Sequence, residues 1–280
     1  MLEILKPGLY TTLQDKGRKN CSHLGIPTSG AMDSICASDA NKIIGNKPNS
    51  SVLECTIIGP QIKFFKPTII SITGAVIQPF INGRPSFINE ILKIEKGDVL
   101  SFGRIVKGAR FYIAIHGGFH GQKILKSQSA CITSSIMSLV KKHDEIQYSS
   151  YEGNFVQQKL DLRNIGNKKI EAQRGCEYDT LEKIIPNLST LFHSSFNIKK
   201  DSNRMAYRVS HENEFSHNKS ILSSATIPGT VQLTPAGDLI FLMRDAQTTG
   251  GYPRVLQLTE TGICNLSQLK AGESFEMNLG

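Results

Sequence analysis

From Val52 onward, Gly, Pro and Asn cut the chain into short β-prone runs about ten residues apart, and this spacing restricts the fold more than any other feature. The runs are Val52–Ile58, Gln61–Phe65, Thr68–Thr73, Ile77–Ile81, Glu90–Ile94, Val99–Phe102 and Arg110–His116. Turns are expected at Gly59-Pro60, Lys66-Pro67, Asn82-Gly83 and Lys96-Gly97-Asp98. Evenly punctuated strands of this kind predict an antiparallel barrel or sandwich. Asn82-Gly83 has the residues a type I′ hairpin demands, because both central positions take positive φ.

Ahead of these runs, Met1–Leu5 and Leu9–Leu13 read as strands about the turn Lys6-Pro7-Gly8, and Gln14–Arg18 as a polar turn. A helix follows, with Ser29 and Gly30 as cap candidates, Asp33 in its first turn, Met32, Cys36, Ala40, Ile43 and Ile44 as its apolar stripe, and Gly45 as its stop. Residues Gly153–Asn167 are polar and without period, and mark a passage from one domain to the next. Beyond it, helix is expected over Asp179–Ile185, and strands over Lys169–Ala172, Arg204–Val209, Gly229–Leu233, Leu239–Met243, Val255–Leu258 and Ser274–Leu279. Leu92–Phe102 and Leu266–Phe275 echo one another around a Gly-acidic turn, which raises an internal duplication.

Composition removes several classes of function. The longest apolar stretch, Thr68–Ile81, is short and broken by Ser71, Thr73, Gly74, Gln78 and Pro79, so no membrane span is expected. Glu3 and Lys6 interrupt any signal-peptide core. A cytoplasmic protein is expected. The six cysteines lack any short ligand spacing, which argues against a zinc ribbon and against a disulfide framework. A net charge of +8 raises nucleic acid as a partner, but the 32 Lys and Arg are spread along the chain instead of concentrated. The segment Lys107–Ile115 lacks the aromatic on which a base would stack.

The candidate site is Asp245-Ala246-Gln247-Thr248-Thr249-Gly250-Gly251-Tyr252-Pro253-Arg254, a polar turn carried by two strand-like runs. Adjacent glycines admit positive φ and close approach of another molecule, and a rigid sheet holds such a turn in place. A hairpin tip satisfies the same glycines, although four polar side chains and an arginine exceed what a tip requires. His116-Gly117-Gly118-Phe119-His120 repeats the Gly-Gly pattern. Its two histidines lack a third ligand nearby, so no metal is expected.

Pro7-Gly8, Thr12–Arg18, Pro27–Asp33, Asn41–Asn46, Leu53-Glu54, Gly74-Ala75, His116-Gly117-Gly118, Asn203–Arg208, Pro228–Gln232 and Asp245–Arg254 together resemble the biotin-dependent carboxyltransferase family across nearly the full chain. That family includes the carboxyltransferase region of urea amidolyase, the C subunit of 5-oxoprolinase and the regulator KipA. The resemblance implies a mainly β fold of two cyclophilin-like β-barrel domains in tandem, residues 1–160 and 161–280, with a few short helices. Among its members this short chain is most similar to the 5-oxoprolinase C subunit, which works with the A and B subunits (the latter KipI-like) in ATP-dependent opening of 5-oxo-L-proline to L-glutamate. The alternatives it leaves open are carboxylation of urea or another amide and KipA-like binding of a kinase inhibitor without chemistry.

Such chemistry needs donors at a developing oxyanion, a proton carrier and a cation for a carboxylate. Weighed against these needs, Gly250 and Gly251 are expected as backbone donors, Gln247, Thr248 and Thr249 as orienting groups, and Tyr252 as a proton shuttle or a packing group. Arg254 is a carboxylate clamp or a surface ion pair. Arg204, Tyr207 and Arg208 are expected to form a second cationic wall, and Asp15 and Arg18 a structural pair. Ser127 and Ser129 are expected to bind substrate, from a loop that lies close to the site in the family, where the family shows Gly-Ser-Arg-Ser-Thr and this chain has Lys126-Ser127-Gln128-Ser129-Ala130. The sequence carries neither a GxxxxGK[ST] phosphate loop nor an Ala-Met-Lys-Met segment. No covalently bound cofactor is expected. ATP is used by the complex, and carboxybiotin enters only if a partner bears biotin.

Overall fold

A computed structural model describes residues 1–131, 139–153, 155 and 163–280. The chain divides into two compact units. The first contains Met1–Arg18, Asp33–Ala130 and the described residues up to Ile165, and the second contains Lys19–Met32, Cys131 and Gly166–Gly280. The boundary expected at residues 160 and 161 lies outside the described residues.

In the first unit the elements are β1 (Leu2–Lys6), β2 (Tyr10–Gln14), α1 (Ser34–Ile43), β3 (Val52–Thr56), β4 (Gln61–Phe64), β5 (Thr68–Ile81), β6 (Arg84–Pro85), β7 (Ile91–Ile94), β8 (Val99–Ile115) and β9 (Glu145–Ile146). They make one antiparallel sheet in the order β2-β3-β8-β4-β1-β9, with β5 joined to β8 and carrying β6 and β7. Four of the expected strands are therefore two long ones. Gly74, at φ 96°, interrupts the apolar run in sequence, yet a Cβ there would fall 2.6 Å from the Arg110 carbonyl oxygen, so glycine lets β5 press against β8. The register shifts between Gly74 and Val76. Such a bulge bends a strand without ending it.

The turn at Asn82 (φ 51°) and Gly83 (φ 78°) is the two-residue hairpin its sequence predicts, closing Ile81 against Arg84. Helix α1 starts later than expected. Ser29 (φ 56°) and Gly30 (φ 91°) are left-handed, and Asp33 is the cap, its carboxylate accepting the Cys36 N–H at 3.1 Å. The helix buries Cys36, Ala37, Ala40 and Ile43. Ser71 Oγ and Thr73 Oγ1 on β5 donate to its Ala40 and Cys36 carbonyls at 2.5 and 2.7 Å. Leu2, Ile4, Leu53, Ile62, Phe64, Ile70, Ile72, Phe111, Ile113 and Ile115 fill the core, each contributing roughly 1.5–3 kcal/mol by leaving water.

The second unit contains β10 (Lys169–Arg174), α2 (Tyr178–Glu182), β11 (Ser195–Ile198), β12 (Ala206–Ser210), β13 (Ser224–Ala225), β14 (Thr230–Leu233), β15 (Leu239–Leu242), β16 (Thr249–Gly250), β17 (Arg254–Leu258), α3 (Glu260–Ser267) and β18 (Ser274–Leu279). Seven strands form a closed barrel, β10-β17-β14-β15-β12-β11-β18, completed by a parallel pairing of β18 with β10. Phe275 packs 5.5 Å from both Phe196 and Phe241 in its core. Strands β13 and β16 form a separate two-stranded ribbon. Helix α2 is shorter than expected, its chain continuing as turns through Ile185. Helix α3 has no counterpart among the expected elements. Its cap Thr259 accepts from Gly262 N at 3.0 Å, and it ends at Ser267, so the echo of Leu92–Ile94 in Leu266–Gln268 sets a strand against a helix end. Among the described residues no helix is long and apolar enough to cross a membrane.

Candidate functional site

The polar Gly-Gly turn leaves the barrel at the end of β15 and returns to it at β17. Its first residue, Asp245, is fully buried and holds Arg204, which is 3% exposed. Arg204 Nε donates to Asp245 Oδ2 at 2.9 Å, and its Nη2 to Asp245 Oδ1 at 3.1 Å and to the Gly30 carbonyl at 2.7 Å. Arg204 is thus a buried tie between chain segments instead of part of a cationic wall. The other members of that wall also diverge, because successive side chains on a strand face opposite sides. Tyr207 on β12 is buried in the barrel core, and Arg208 points outward, its Nε 3.6 Å from Asp201.

In the turn itself, β16 pairs with β13, Ser224 facing Gly250 and Ala225 facing Thr249. Thr226 donates its N–H to the Thr248 carbonyl at 3.0 Å and its hydroxyl to the Gln247 carbonyl at 2.6 Å. Neither Gly250 nor Gly251 takes the left-handed conformation the sequence suggests. Close approach explains Gly250, since a Cβ there would fall 2.3 Å from Gln232 Nε2. Gln232 in turn accepts from Gln247 Nε2 at 3.3 Å and donates to the Tyr252 carbonyl at 3.4 Å. Gln247 therefore braces the turn, leaving Thr249 and Tyr252 as its exposed members.

Arg254 has a carboxylate in its fork already. Its Nε and Nη2 donate to Glu177 Oε2 and Oε1 at 2.9 and 2.6 Å, its backbone N–H donates to the same carboxylate, and Nη1 reaches the Ala225 carbonyl at 3.2 Å. The Arg254 side chain holds the Glu177 carboxyl below its usual range, and Glu177 raises the guanidinium. The ion-pair alternative describes this geometry, and the clamp does not. Nothing local in the sequence marks Glu177, which lies 77 residues away.

Two of the expected residues do share a cavity. Arg208 and Tyr252 line a pocket of about 290 Å³ with Lys199, Thr234 and Asp238. Lys199 Nζ stands 3.7 Å from Asp238. The pocket offers two cations, a phenol, a hydroxyl and the Asp238 carboxylate, and each cation has an acid within 4 Å at the exposed rim, Lys199 with Asp238 and Arg208 with Asp201, so a small polar anion held there exchanges with these loose surface pairs.

Ser127 and Ser129 belong to the first unit, where both hydroxyls donate to Asp15 Oδ1 at 2.6 Å. Asp15 is engaged with this loop and not with Arg18, which corrects the expected pair. The His116 ring lies 4.3 Å from that of Tyr151, tilted by 40°, and His120 pairs through its backbone with Gln147. Among the described residues no cluster of three His, Cys, Asp or Glu side chains has metal-binding geometry.

The sequence profile of the carboxyltransferase domain, subdomains A and B, matches residues 24–279. The chain belongs to this carboxyltransferase family. This carboxyltransferase domain is 29% identical to the C subunit of 5-oxoprolinase from Escherichia coli strain K12 over 278 residues, covering 98% of this chain and 89% of that protein. Over 128 residues, 45% of this chain and 7% of the relative, it is 38% identical to the urea amidolyase of Lachancea kluyveri. Its fold matches the crystal structure of TTHA0988 with a TM-score of 0.88 at 22% identity, over 99% of this chain and 55% of that one. The carboxyltransferase domain thus spans about half the length of that solved chain.

Proposed function

We propose that this chain is the C subunit of a 5-oxoprolinase, acting with the A and B subunits in the ATP-dependent hydrolysis of 5-oxo-L-proline to L-glutamate. The observation that carries this reading is the nearly full-length match to the C subunit of the Escherichia coli 5-oxoprolinase, over 98% of this chain and 89% of the relative. In this reading Lys199 and Arg208 attract the substrate's negative charge to the pocket. Tyr252 and Thr249 supply hydroxyls to the amide, and the Gly250 turn is kept in shape by Gln232 and Gln247. ATP is bound and consumed by the partner subunits.

A second reading, a carboxyltransferase acting on urea or another amide, draws on the higher local identity to urea amidolyase, 38% over 128 residues. Carboxybiotin would then come from a biotin-bearing partner, and the donors of Lys199, Arg208 and Tyr252 are of the kind its carboxylate accepts. Co-expression with the candidate partners separates the two. Glutamate released from 5-oxoproline with ATP supports the first, and carboxylation of urea without glutamate release supports the second.

A further inference from the structure

We propose that Gln14 and Arg18 form a closed site in the first unit for a small carboxylate-type anion that also carries a hydrogen-bond donor. This site shares no residue with the pocket at Arg208. Arg18 is 1% exposed, and its Nη2 donates to the Ser129 carbonyl. Among the described residues its Nε and Nη1 are buried without a hydrogen-bond partner, and no carboxylate pairs with it. A buried guanidinium without a counter-charge costs several kcal/mol. Two other arginines withdrawn from solvent have an acid: buried Arg204 is held by Asp245, and largely buried Arg163 by Asp33. The nearest acid in sequence, Asp15, takes its hydrogen bonds from Ser127 Oγ, Ser129 Oγ, Gln128 N and Gly17 N.

A second orphan lies on the next carbonyl. Gln14 is fully buried and donates through Nε2 to Thr12 Oγ1 at 3.0 Å and to the Ala130 carbonyl at 3.3 Å, while its Oε1 has no partner among the described residues. Arg18 and Gln14 are therefore anchored to the consecutive residues Ser129 and Ala130, whose Cα atoms lie about 3.8 Å apart. Two unmet donors on a cation and one unmet acceptor, carried by side chains anchored to neighbouring carbonyls, set the complement of the ligand. It brings acceptor oxygens with negative charge to Arg18 and an N–H or O–H to Gln14. Bicarbonate and the carboxylate of a lactam acid both have this complement. Water can satisfy Gln14 Oε1, but it leaves the guanidinium charge uncompensated. Both side chains are buried under a loop held to β2 by the Ala130 N–H on the Leu13 carbonyl and by Gln14 on the Ala130 carbonyl, so a ligand that enters loosens these bonds.

Titration of the full chain alone, with sodium bicarbonate, with sodium L-5-oxoproline and with sodium chloride at matched ionic strength, tests this by calorimetry and thermal shift. Saturable binding of bicarbonate or of 5-oxoproline is expected, and which one binds identifies the source of the carboxylate. Arg18→Met should weaken it about tenfold or more, and Gln14→Leu should weaken it in the same direction without touching the charge. Ligand-free Arg18→Met should unfold at the same temperature as the parent or higher, because an unpaired buried charge is gone. The proposal is overturned by absence of saturable binding of both anions, by binding unchanged in both variants, or by a crystal grown in bicarbonate that holds only water at Nε and Nη1. These titrations need no partner subunit, so their outcome is independent of whether the complex releases glutamate.

Discussion

Arg254 and Glu177 are joined side by side, guanidinium Nε to Oε2 at 2.9 Å and Nη2 to Oε1 at 2.6 Å, across 77 residues of chain. The pair docks the start of β17 onto the residue that caps α2. Its folded carboxyl titrates below the ordinary value, so its stabilisation is present above the unfolded pKa and is lost as pH falls through the depressed folded one. Glu177→Gln should cost about 1–2 kcal/mol at pH 7. Thermal unfolding should show the variant and parent converging below about pH 4.

The two glycines of the turn should differ. Gly250→Ala places a methyl 2.3 Å from Gln232 Nε2 and must push that side chain off Gln247 and the Tyr252 carbonyl, whereas at Gly251 the nearest atom is the Ile221 carbonyl oxygen at 3.7 Å. Denaturant unfolding should show a loss of about 1–2 kcal/mol for Gly250→Ala and under about 0.5 kcal/mol for Gly251→Ala.

That contrast marks what a sequence displays and what it hides. The hairpin at Asn82-Gly83, the helix ending at Gly45 and the ten-residue strand rhythm are local, and local chemistry writes them into the chain. The turns before Asp98 and Glu273 echo truly, each carboxylate accepting a backbone N–H three residues back, from Glu95 and Lys270. The bulge at Gly74 and the helix after Thr259 depend on what approaches from elsewhere. So does the fate of each arginine: Arg204, Arg208 and Arg254 look equivalent as letters, and only long-range pairing buries one, exposes one and ties one to Glu177.

Arg204→Ala should remove a buried partner of Asp245 and destabilise the second unit by about 3–5 kcal/mol. Arg208→Ala, four residues on, should leave stability within about 0.5 kcal/mol. Paired melting curves read both, and equal losses at the two positions would contradict the assignment of one to structure and the other to the pocket.

Lys126 sits at φ 66°, in the left-handed region that favours glycine. Lys126→Gly should stabilise the chain by about 1 kcal/mol by relieving left-handed strain. An increase in the urea midpoint with unchanged slope checks it.

Of the six cysteines only Cys176 is exposed. Burial raises the thiols of Cys36 and Cys55, which keeps them protonated at neutral pH. Iodoacetamide at pH 8 should modify Cys176 first, with the other five reacting only on unfolding, as peptide mass spectrometry over time will show.

The most direct measurement is ATP-dependent glutamate formation from 5-oxo-L-proline by co-purified candidate A and B subunits, with and without this chain. The account predicts that turnover requires the chain and falls when Arg208→Ala or Gly250→Ala replaces it. Full turnover by the two partners without it, or none when all three are present, would contradict the account.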